Sequence, residues 1–416
     1  MRIVFISVSD ELGGSEIALV EMMAGLRRVQ PSWTIGLVLP GRGPLLARAG
    51  AAGADCTIVP LPRAIARVGE FGMAASSWLP ASAGSHTAVF GARLLASAAA
   101  VPSYLLKLRR AIRAYQPTIV HTNGFKAHVL GAHAVGRARP GARAAGSAKL
   151  VWHMHEYVGD RAVSRKLLAA HAGRPAAVLA NSVSVASDVR RALPTVVSPT
   201  VLYNAVDLAS FVPVGALEDL DARAGLPPAN GPVVRVGLIA TFARWKGHEV
   251  FLRAIAALPS SVPVRGYVIG EPLYATAGSQ YDLAELRRLA TDLGVAGRVG
   301  FTGYLPAAAA MRALDVVVHA STRPEPFGLV IAEAMACGRA TIVSAAGGAA
   351  ELVEPEVDAL THAPGDDAEL ARQIARLAGD PALRRTLGER AHATARRRFD
   401  PNRLATELAQ IYEHLS

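Results

Sequence analysis

The stretch "DVVVHASTRPEPFGLVIAEAMACGRATIVSAA", residues 315–346, contains an apolar run, a proline-rich segment, a longer apolar segment and a second apolar run. The two short runs are rich in β-branched residues, which is typical of strands buried on both faces. Pro324 and Pro326 exclude a helix over "TRPEP", so we expect a loop there. "FGLVIAEAMACG" predicts a helix with Pro326 in its first turn and Gly338 just beyond its end. The stretch therefore predicts a strand, a loop, a helix and a second strand.

The same alternation of strand-like runs and helical patterns extends over the whole chain in two series. The first series is "RIVFISV", "TIGLVLP", "CTIVPLP", "TIVHTNG", "LVWHMHE", "AVLANS" and "TVLYNA"; the second is "VVRVGLIA", "VRGYVIG", "RVGFTGYL", "DVVVHAS" and "ATIVSAA". A chain of 416 residues also favours two domains. The sequence therefore predicts an α/β fold with two doubly wound, Rossmann-like domains facing a central cleft.

Proline, glycine and acidic residues concentrate between the two series. We predict an N-terminal domain over 1–206, a linker over 207–232 and a C-terminal domain over 233–399. The final helical pattern, about 400–416, is expected to pack back on the first domain. Ligands of open α/β sheets bind beyond the carboxyl ends of the strands, so we expect the site in the cleft.

The composition, 51% hydrophobic and 19% charged, is that of a folded chain. Its two cysteines, Cys56 and Cys337, lie far apart, which excludes a disulfide scaffold and favours a reducing cytoplasm. The apolar segment 94–106 is shorter than the roughly 20 residues that a membrane span needs. We therefore expect a cytoplasmic protein, either dissolved or held peripherally on the inner membrane face.

The basic charge is concentrated in the first half. Residues 1–200 contain 23 Lys and Arg against 9 Asp and Glu, while the net charge of the whole chain is +11. A basic N-terminal half favours an anionic partner. Only 5 of the 44 cations are Lys, so a compositional bias toward Arg is the other explanation of the positive charge. The helical pattern 104–115 combines a basic face with an apolar stripe. It fits either an anionic membrane surface or a solvated helix packed on the sheet.

Two loops at strand ends carry candidate phosphate ligands. Gly13 and Gly14 fall where the first strand turns into a helix, so backbone amides there can approach an anion. Arg244 and Lys246 follow the first strand of the second series, and two cations at such a loop suit a diphosphate. The sequence contains neither the dinucleotide fingerprint nor the P-loop motif, which disfavours nicotinamide enzymes and NTPases.

Three histidines follow or end strands of the first series. His121 begins "HTNGF", and alternation in "VWHMHE" places His153 and His155 on one face. A histidine at a strand end is either a hydrogen-bonded structural residue or an acid, base or neutral donor near a reaction. A zinc pair would need a third ligand, and none stands at a recognisable spacing, so we predict no metal site.

Glu325 and Glu333 are separated by eight positions, which would be roughly 12 Å along a helix at about 1.5 Å per residue. That distance is close to the one between the ribose of a sugar nucleotide and the far end of its sugar. The amides of Phe327, Gly328 and Leu329 would lie between the two acids and face a phosphate. The alternative to a ligand-binding role for Glu325 is a structural one, in which its charge interacts favourably with the helix dipole.

These motifs resemble a known family. "RPEPFGLVIAEAMACGRATIV" resembles the E-x7-E segment of the retaining GT-B glycosyltransferases of the GT4 group. The likeness extends over nearly the whole chain: "ELGGSE" resembles the first glycine loop, "VLYNAVDLASFVP" the entry to the linker, "FARWKG" the phosphate loop and "VGFTGYLP" the base-binding region. The family usually has Gly-Arg where this chain has Ala240 and Thr241, so Arg244 is the candidate replacement for the phosphate arginine.

The resemblance implies a role for each matching residue on the donor side. Glu333 would bind the ribose, and Lys246 with Arg244 would neutralise the diphosphate. The amides of Phe327, Gly328 and Leu329 would face the diphosphate or the sugar.

The resemblance also implies the residues of the reacting centre. Glu325 would hold hydroxyls of the donor sugar, and His155 would lie at the reacting centre. Gly14 would let the first loop approach the phosphate or the acceptor.

The function implied is transfer of a sugar, with retention of configuration, from a nucleotide-diphosphate sugar to an acceptor hydroxyl. A UDP-sugar is the expected donor, and no metal or other cofactor is expected. The acceptor would be a small molecule or a lipid-linked one, with no nucleic-acid partner. A sugar-nucleotide epimerase of the same fold and a non-catalytic protein that binds sugar nucleotides remain as alternatives.

Overall fold

The structure, a computed structural model, describes residues 1–62, 65, 100–135, 148–229, 231–272 and 278–416. It divides into two compact units. The first contains Met1–Ala205 and Pro401–Ser416, and the second contains Val206–Asp400.

The first unit is built on a parallel sheet of seven strands. Its strands are β1 (Arg2–Ser7), β2 (Thr34–Leu39), β3 (Asp55–Ile58), β4 (Ile119–Asn123), β5 (Lys149–Met154), β6 (Ala177–Ala180) and β7 (Thr200–Val201). Their order in the sheet is β3-β2-β1-β4-β5-β6-β7. The helices are α1 (Gly14–Val29), α2 (Pro44–Ala51), α3 (100–114), α4 (Phe125–Val135), α5 (Ala162–Ala169) and α6 (Val183–Ala192).

The second unit contains a parallel sheet of six strands in the order β10-β9-β8-β11-β12-β13. The strands are β8 (Val234–Ile239), β9 (Val264–Ile269), β10 (Val299–Gly303), β11 (Val316–His319), β12 (Ala340–Ser344) and β13 (Leu360–His362). The helices are α7 (Leu220–Ala224), α8 (His248–Ala257), α9 (Leu283–Asp292), α10 (Ala307–Ala313), α11 (Leu329–Ala336), α12 (Asp367–Gly379) and α13 (Pro381–Arg398).

The last helix, α14 (Pro401–Leu415), belongs to the first unit and packs against α1. Leu404, Leu408 and Tyr412 of α14 are buried with residues of β1 and β2 in one apolar cluster. In both sheets the strand order reverses beside the first strand of the unit, at β1 and β4 and at β8 and β11. Each reversal is a topological switch point, where ligands of this fold class bind.

Segment 207–232, which the sequence predicts to be a linker, is instead part of the second unit. It contains α7, whose Leu220 is buried in an apolar cluster with Tyr267. The neighbouring Asp221 accepts hydrogen bonds from Arg235 at 3.1 Å and from Tyr267 at 2.6 Å. Its polar and proline-rich composition suggested a free linker, but these two buried side chains anchor it.

The helix of the opening stretch is shorter than predicted. It begins at Leu329, because Gly328 precedes it with a φ of 98°, in the left-handed region that favours glycine. It ends before Gly338, whose φ of 65° fits the predicted stop position. Glu325 therefore lies in the loop, and only four of the seven residues between the two glutamates, 329–332, are helical. The estimate of roughly 12 Å along one helix is wrong for this reason.

The apolar stripe predicted over 104–115 lies in the core. Leu108 and Ile112 are buried in the cluster that covers one face of the first sheet, and Leu105 packs against that cluster. The contacts of the stripe therefore support a solvated helix packed on the sheet. Residues 94–99 of the apolar segment 94–106 lie outside the described residues. Among the helices of the described part of the chain, none has the length and apolarity that a membrane span requires.

Candidate functional site

The loop after β8 is held in a conformation that requires glycine. Arg244–Lys246 form one turn of 3-10 helix, and Gly247 follows with a φ of 78°. A Cβ atom on Gly247 would lie 1.8 Å from the carbonyl oxygen of Ala320, which is closer than any real contact. The loop therefore lies tightly against the carboxyl end of β11, and this contact brings Lys246 to Glu325.

Half-buried Lys246 and buried Glu325 form an ion pair. The Lys246 Nζ donates to Glu325 Oε1 at 2.7 Å and to Oε2 at 2.9 Å. Only 7% of Glu325 is exposed. Burial raises the pKa of this carboxyl, but the charge of Lys246 and the contacts with His319 outweigh it and hold the pKa well below its ordinary value. The carboxylate is therefore ionised at neutral pH.

Sequence reasoning missed two further residues of this site, His319 and Ser321. The Ser321 hydroxyl donates to Glu325 Oε2 at 2.7 Å, and His319 Nε2 lies 3.0 Å from the Ser321 Oγ. Both side chains are buried. The one signal in the sequence is their alternation at the end of β11, which places them on the same face.

Arg244 does not share the partners of Lys246. Its Nη2 contacts both carboxylate oxygens of Glu285, at 2.8 and 3.0 Å, and its Nε donates to the carbonyl of Gly278 at 3.1 Å. The guanidinium also lies over the ring of Tyr281 at 4.3 Å. The expectation that both cations of the loop face one anion together is therefore not met in this conformation, because Glu285 competes for the arginine.

The start of α11 differs from the predicted phosphate cradle because only one of the three predicted residues is helical. Leu329 is the first residue of the helix, and Phe327 and Gly328 precede it. Phe327 is buried and packs edge-on against Phe399, with ring centroids 5.9 Å apart. The amide of Leu329 lies in the first turn, where backbone N–H groups have no partner within the helix itself. Glu333 follows one turn later and is half-buried.

In the first unit, Gly14 begins α1 and is exposed, with the extended Gly13 before it. The Asn123 amide donates to the carbonyl of Ser15 at 3.3 Å, which ties the first turn of α1 to the end of β4. The predicted glycine loop therefore lies over the carboxyl ends of β1 and β4, at the switch point of this sheet.

His155 follows β5 and is the last member of a buried histidine column, which we define as His121, His153 and His155. The ring centroids of His153 and His155 are 4.1 Å apart, and those of His121 and His153 are 5.2 Å apart. Tyr412 of α14 lies at the other end, with its hydroxyl 2.6 Å from His121 Nδ1.

Burial keeps the histidine column neutral. It lowers the pKa of His155 to about 4, and burial together with the neighbouring His155 lowers the pKa of His121 to about 3. Within the described residues, neither ring nitrogen of His155 has a hydrogen-bond partner. In the same residues, no group of three or more His, Cys, Asp and Glu side chains is placed to hold a metal ion.

Two family models match the chain and together cover most of it. The model of glycosyltransferase family 4 matches residues 13–210, and the model of glycosyl transferases group 1 matches residues 229–394. The chain belongs to the GT4 family of GT-B glycosyltransferases. The two Rossmann-like domains and the GT4 glycosyltransferase family that the sequence predicts are thereby confirmed.

Over part of its length, the chain is similar to two named glycosyltransferases. It is 33% identical to the lipopolysaccharide core biosynthesis mannosyltransferase LpcC of Rhizobium leguminosarum bv. viciae, over 52% of this chain and 60% of LpcC. It is 32% identical to the 2-deoxystreptamine glucosyltransferase of Streptomyces kanamyceticus, over 50% of each chain. The chain thus matches between half and two thirds of the length of these relatives.

A solved structure resembles the whole chain. Anabaena HepE in complex with UDP-glucose superposes with a TM-score of 0.76 at 25% identity, covering 100% of both chains.

Proposed function

We propose that this protein is a retaining glycosyltransferase that moves a sugar from a nucleotide-diphosphate sugar, a UDP-sugar, to an acceptor hydroxyl. The observation that carries the proposal is the buried pair of Lys246 and Glu325 beside the first turn of α11. An ammonium beside a helix N-terminus attracts a diphosphate, and a fixed carboxylate accepts hydrogen bonds from sugar hydroxyls. One compact site thus offers both chemistries that a sugar nucleotide requires.

The remaining donor contacts follow from the family pattern. Glu333 on α11 binds the ribose hydroxyls, and the amide of Leu329 faces the diphosphate. Phe327 and Gly328 shape the entrance to the helix, and Gly14 in the first unit approaches the phosphate or the acceptor. The complex of HepE with UDP-glucose supports UDP as the nucleotide.

In the reaction, the bond between the anomeric carbon and the diphosphate oxygen breaks, and the acceptor oxygen bonds to that carbon on the same face. The acceptor proton passes to the departing phosphate oxygen, so the step needs no carboxylate base. Lys246 and the amides of α11 stabilise the negative charge that develops on the diphosphate, and no metal is required. Neutral His155 provides a hydrogen bond at the reacting centre rather than a charge.

The acceptor is proposed to be a small molecule or a lipid-linked saccharide. The names of the relatives include both lipopolysaccharide core and 2-deoxystreptamine, so they support either class. For a lipid-linked acceptor, the first unit offers a surface: Val163 and Leu167 of α5 are 56% and 44% exposed and lie beside exposed Arg165 and Lys166. Exposed apolar and basic side chains on one helix fit an anionic membrane surface.

The proposal is tested with a panel of nucleotide sugars, in which nucleotide release and thermal stabilisation are measured together. We expect one UDP-sugar to stabilise the fold and to release UDP when an acceptor is present. In the variant Glu333→Ala, we expect donor affinity to fall about 10-fold through loss of the ribose hydrogen bonds. Glu389→Ala, which removes an exposed acid of α13, is the control. Unchanged donor affinity in Glu333→Ala would exclude the ribose role.

The same panel separates the alternatives. An epimerase would convert the donor without any acceptor, which mass spectrometry of that reaction detects. A non-catalytic protein would be stabilised by a donor but would turn none over. Retention is read from the anomeric configuration of the product by NMR.

Membrane contact is tested by sedimentation with anionic vesicles. We expect binding that high salt weakens and that the double variant Val163→Ser, Leu167→Ser reduces. Absence of salt-sensitive pelleting would remove the membrane from the proposal and leave a dissolved acceptor.

A further inference from the structure

The carboxylate of Glu325 has more partners than the ion pair explains. Its Oε1 accepts from Lys246, whereas its Oε2 accepts from Lys246 at 2.9 Å, from Ser321 at 2.7 Å and from His319 at 3.3 Å. Oε2 is thus held by the Ser321 hydroxyl and by the His319 Nε2–H, which it shares with the Ser321 Oγ, as well as by the ammonium. These two contacts would remain if the ammonium of Lys246 moved away.

The protons of this group form an ordered chain. Ser321 has one hydroxyl proton, which it donates to Glu325, so its oxygen is left to accept from His319 Nε2. This arrangement requires a proton on the Nε2 of His319. The other ring nitrogen, Nδ1, is buried and has no partner among the described residues. A buried imidazole nitrogen left without a partner costs free energy, so the orientation of His319 is maintained by its contacts at Nε2.

The backbone of both residues is fixed from the neighbouring strands. Ser344 of β12 donates through its hydroxyl to the carbonyl of Ser321 at 2.6 Å. The His362 Nε2 at the end of β13 lies 3.2 Å from the carbonyl of His319. Glu325 is itself anchored, since its carbonyl accepts from the amide of Gly348 at 2.7 Å. The hydrogen-bond chain is therefore built on three adjacent strands, the kind of rigid support that a precise site needs.

We propose that His319 and Ser321 are positioning residues that hold Oε2 of Glu325 while Lys246 is shared with the donor. When a diphosphate binds, the ammonium of Lys246 turns toward it and Glu325 loses its cation. The donors on Oε2 keep the carboxylate ionised and oriented, so that Oε1 can turn to a hydroxyl of the donor sugar. This role rests on the proposed function and adds to it a means by which one lysine serves both a carboxylate and a diphosphate.

The test is the pH dependence of kcat in Ser321→Ala and His319→Ala. A hydrogen bond to a charged group has a free energy that corresponds to about 10- to 100-fold in rate, so we expect kcat to fall by that factor at neutral pH. Because each lost hydrogen bond also favours protonated Glu325, the acid limb of the kcat profile should move up by about 1–2 pH units. His319→Gln, which offers an amide N–H in place of Nε2–H, should recover part of the loss.

Thr341→Val is the matched control. Thr341 is buried in β12, and its hydroxyl has no partner among the described residues, so the variant removes a buried hydroxyl of the same sheet without touching Glu325. If Ser321→Ala matches Thr341→Val, or lowers kcat equally at every pH, the positioning role is wrong. Failure of the proposed function is a different result, namely no turnover by the unaltered protein with any donor.

Discussion

The ion pair of the second unit and the histidine column of the first handle buried polar groups in opposite ways. Lys246 and Glu325 are both charged, and each compensates the other at 2.7 Å. His153 and His155 are both buried but carry no charge, because burial lowers the pKa of each below the neutral range. Both groups lie at the carboxyl end of a parallel sheet, where this fold binds ligands.

The difference assigns different chemistry to the two sheets. A compensated ion pair can exchange partners with a charged ligand, since an ammonium released from its carboxylate attracts a phosphate. A neutral imidazole column has no charge to exchange, so it suits an uncharged group such as a hydroxyl. On this basis we expect the anionic donor to bind to the second unit and the acceptor hydroxyl to the first.

The largest effect is expected from Lys246→Ala. Removal of the ammonium takes away the charge that stabilises the leaving diphosphate, and kcat/KM should fall about 1000-fold. It also leaves a buried carboxylate without its cation, so the free energy of unfolding should drop by about 3 kcal/mol. Steady-state kinetics and urea unfolding measure the two quantities.

Two further variants sharpen this result. The double variant Lys246→Met, Glu325→Gln should recover much of the stability but none of the turnover, because it removes both charges. Arg253→Ala breaks the exposed pair with Glu249 on α8 and should leave turnover unchanged. A loss of turnover below 10-fold in Lys246→Ala would contradict the assignment of the diphosphate to this loop.

A smaller effect is expected in the first unit, from His155→Ala. Loss of one hydrogen-bonding imidazole at the reacting centre should lower kcat about 100-fold and leave donor affinity nearly unchanged. Donor affinity is measured by calorimetry and kcat under saturating donor. His414→Gln, which alters an exposed histidine of α14, is the control. Weaker donor binding in His155→Ala would mean that the histidine column serves the donor and that the contrast between the units is wrong.

The two regions should also respond to acid in different pH ranges. His155 has a folded pKa of about 4 against an ordinary value of 6.5, so between those values the unfolded chain binds the extra proton. Each such histidine therefore lowers stability by about 1.4 kcal/mol per pH unit as the pH falls through this range. The folded pKa of Glu325 is depressed, so the stability that it contributes is lost only below its ordinary value of 4.5.

Urea unfolding between pH 7 and pH 5 isolates the histidine contribution. We expect His155→Gln to flatten the slope of stability against pH in this range, whereas Glu325→Gln lowers stability without changing that slope. An unchanged slope in His155→Gln would show that the pKa of this histidine is the same in the folded and the unfolded chain.

The fold was predictable because buried parallel strands have a strong local signature. The alternation of β-branched apolar runs with helical patterns does not depend on distant contacts, and both sheets follow it. The burial of Leu220 and Asp221 within segment 207–232 was not predictable, because it is set by Arg235 and Tyr267, 14 and 46 positions beyond Asp221. A polar, proline-rich sequence does not show that two of its side chains are buried by another element.

The site was predictable only in part, for a similar reason. Glu325 and Lys246 were singled out separately, yet their pairing joins residues 79 positions apart and depends on Gly247 lying against Ala320. The left-handed Gly328 delays the helix, and a single glycine letter does not reveal the sign of φ. Ser321 and His319 escaped notice because their partner is a loop carboxylate rather than a neighbour in a motif.

The smallest effect is expected from Arg244→Ala. Its guanidinium is half-exposed and already paired with Glu285, and such pairs contribute about 0–1 kcal/mol, so KM for the donor should rise by about 3-fold or less. Glu285→Ala is the informative companion, because it frees the arginine without removing it. If Arg244 replaces the phosphate arginine that the family has at the position of Thr241, Glu285→Ala should tighten donor binding and Arg244→Ala should weaken it by more than 10-fold. Calorimetric titration of UDP into both variants decides whether the diphosphate is held by Lys246 alone or by both cations of the loop.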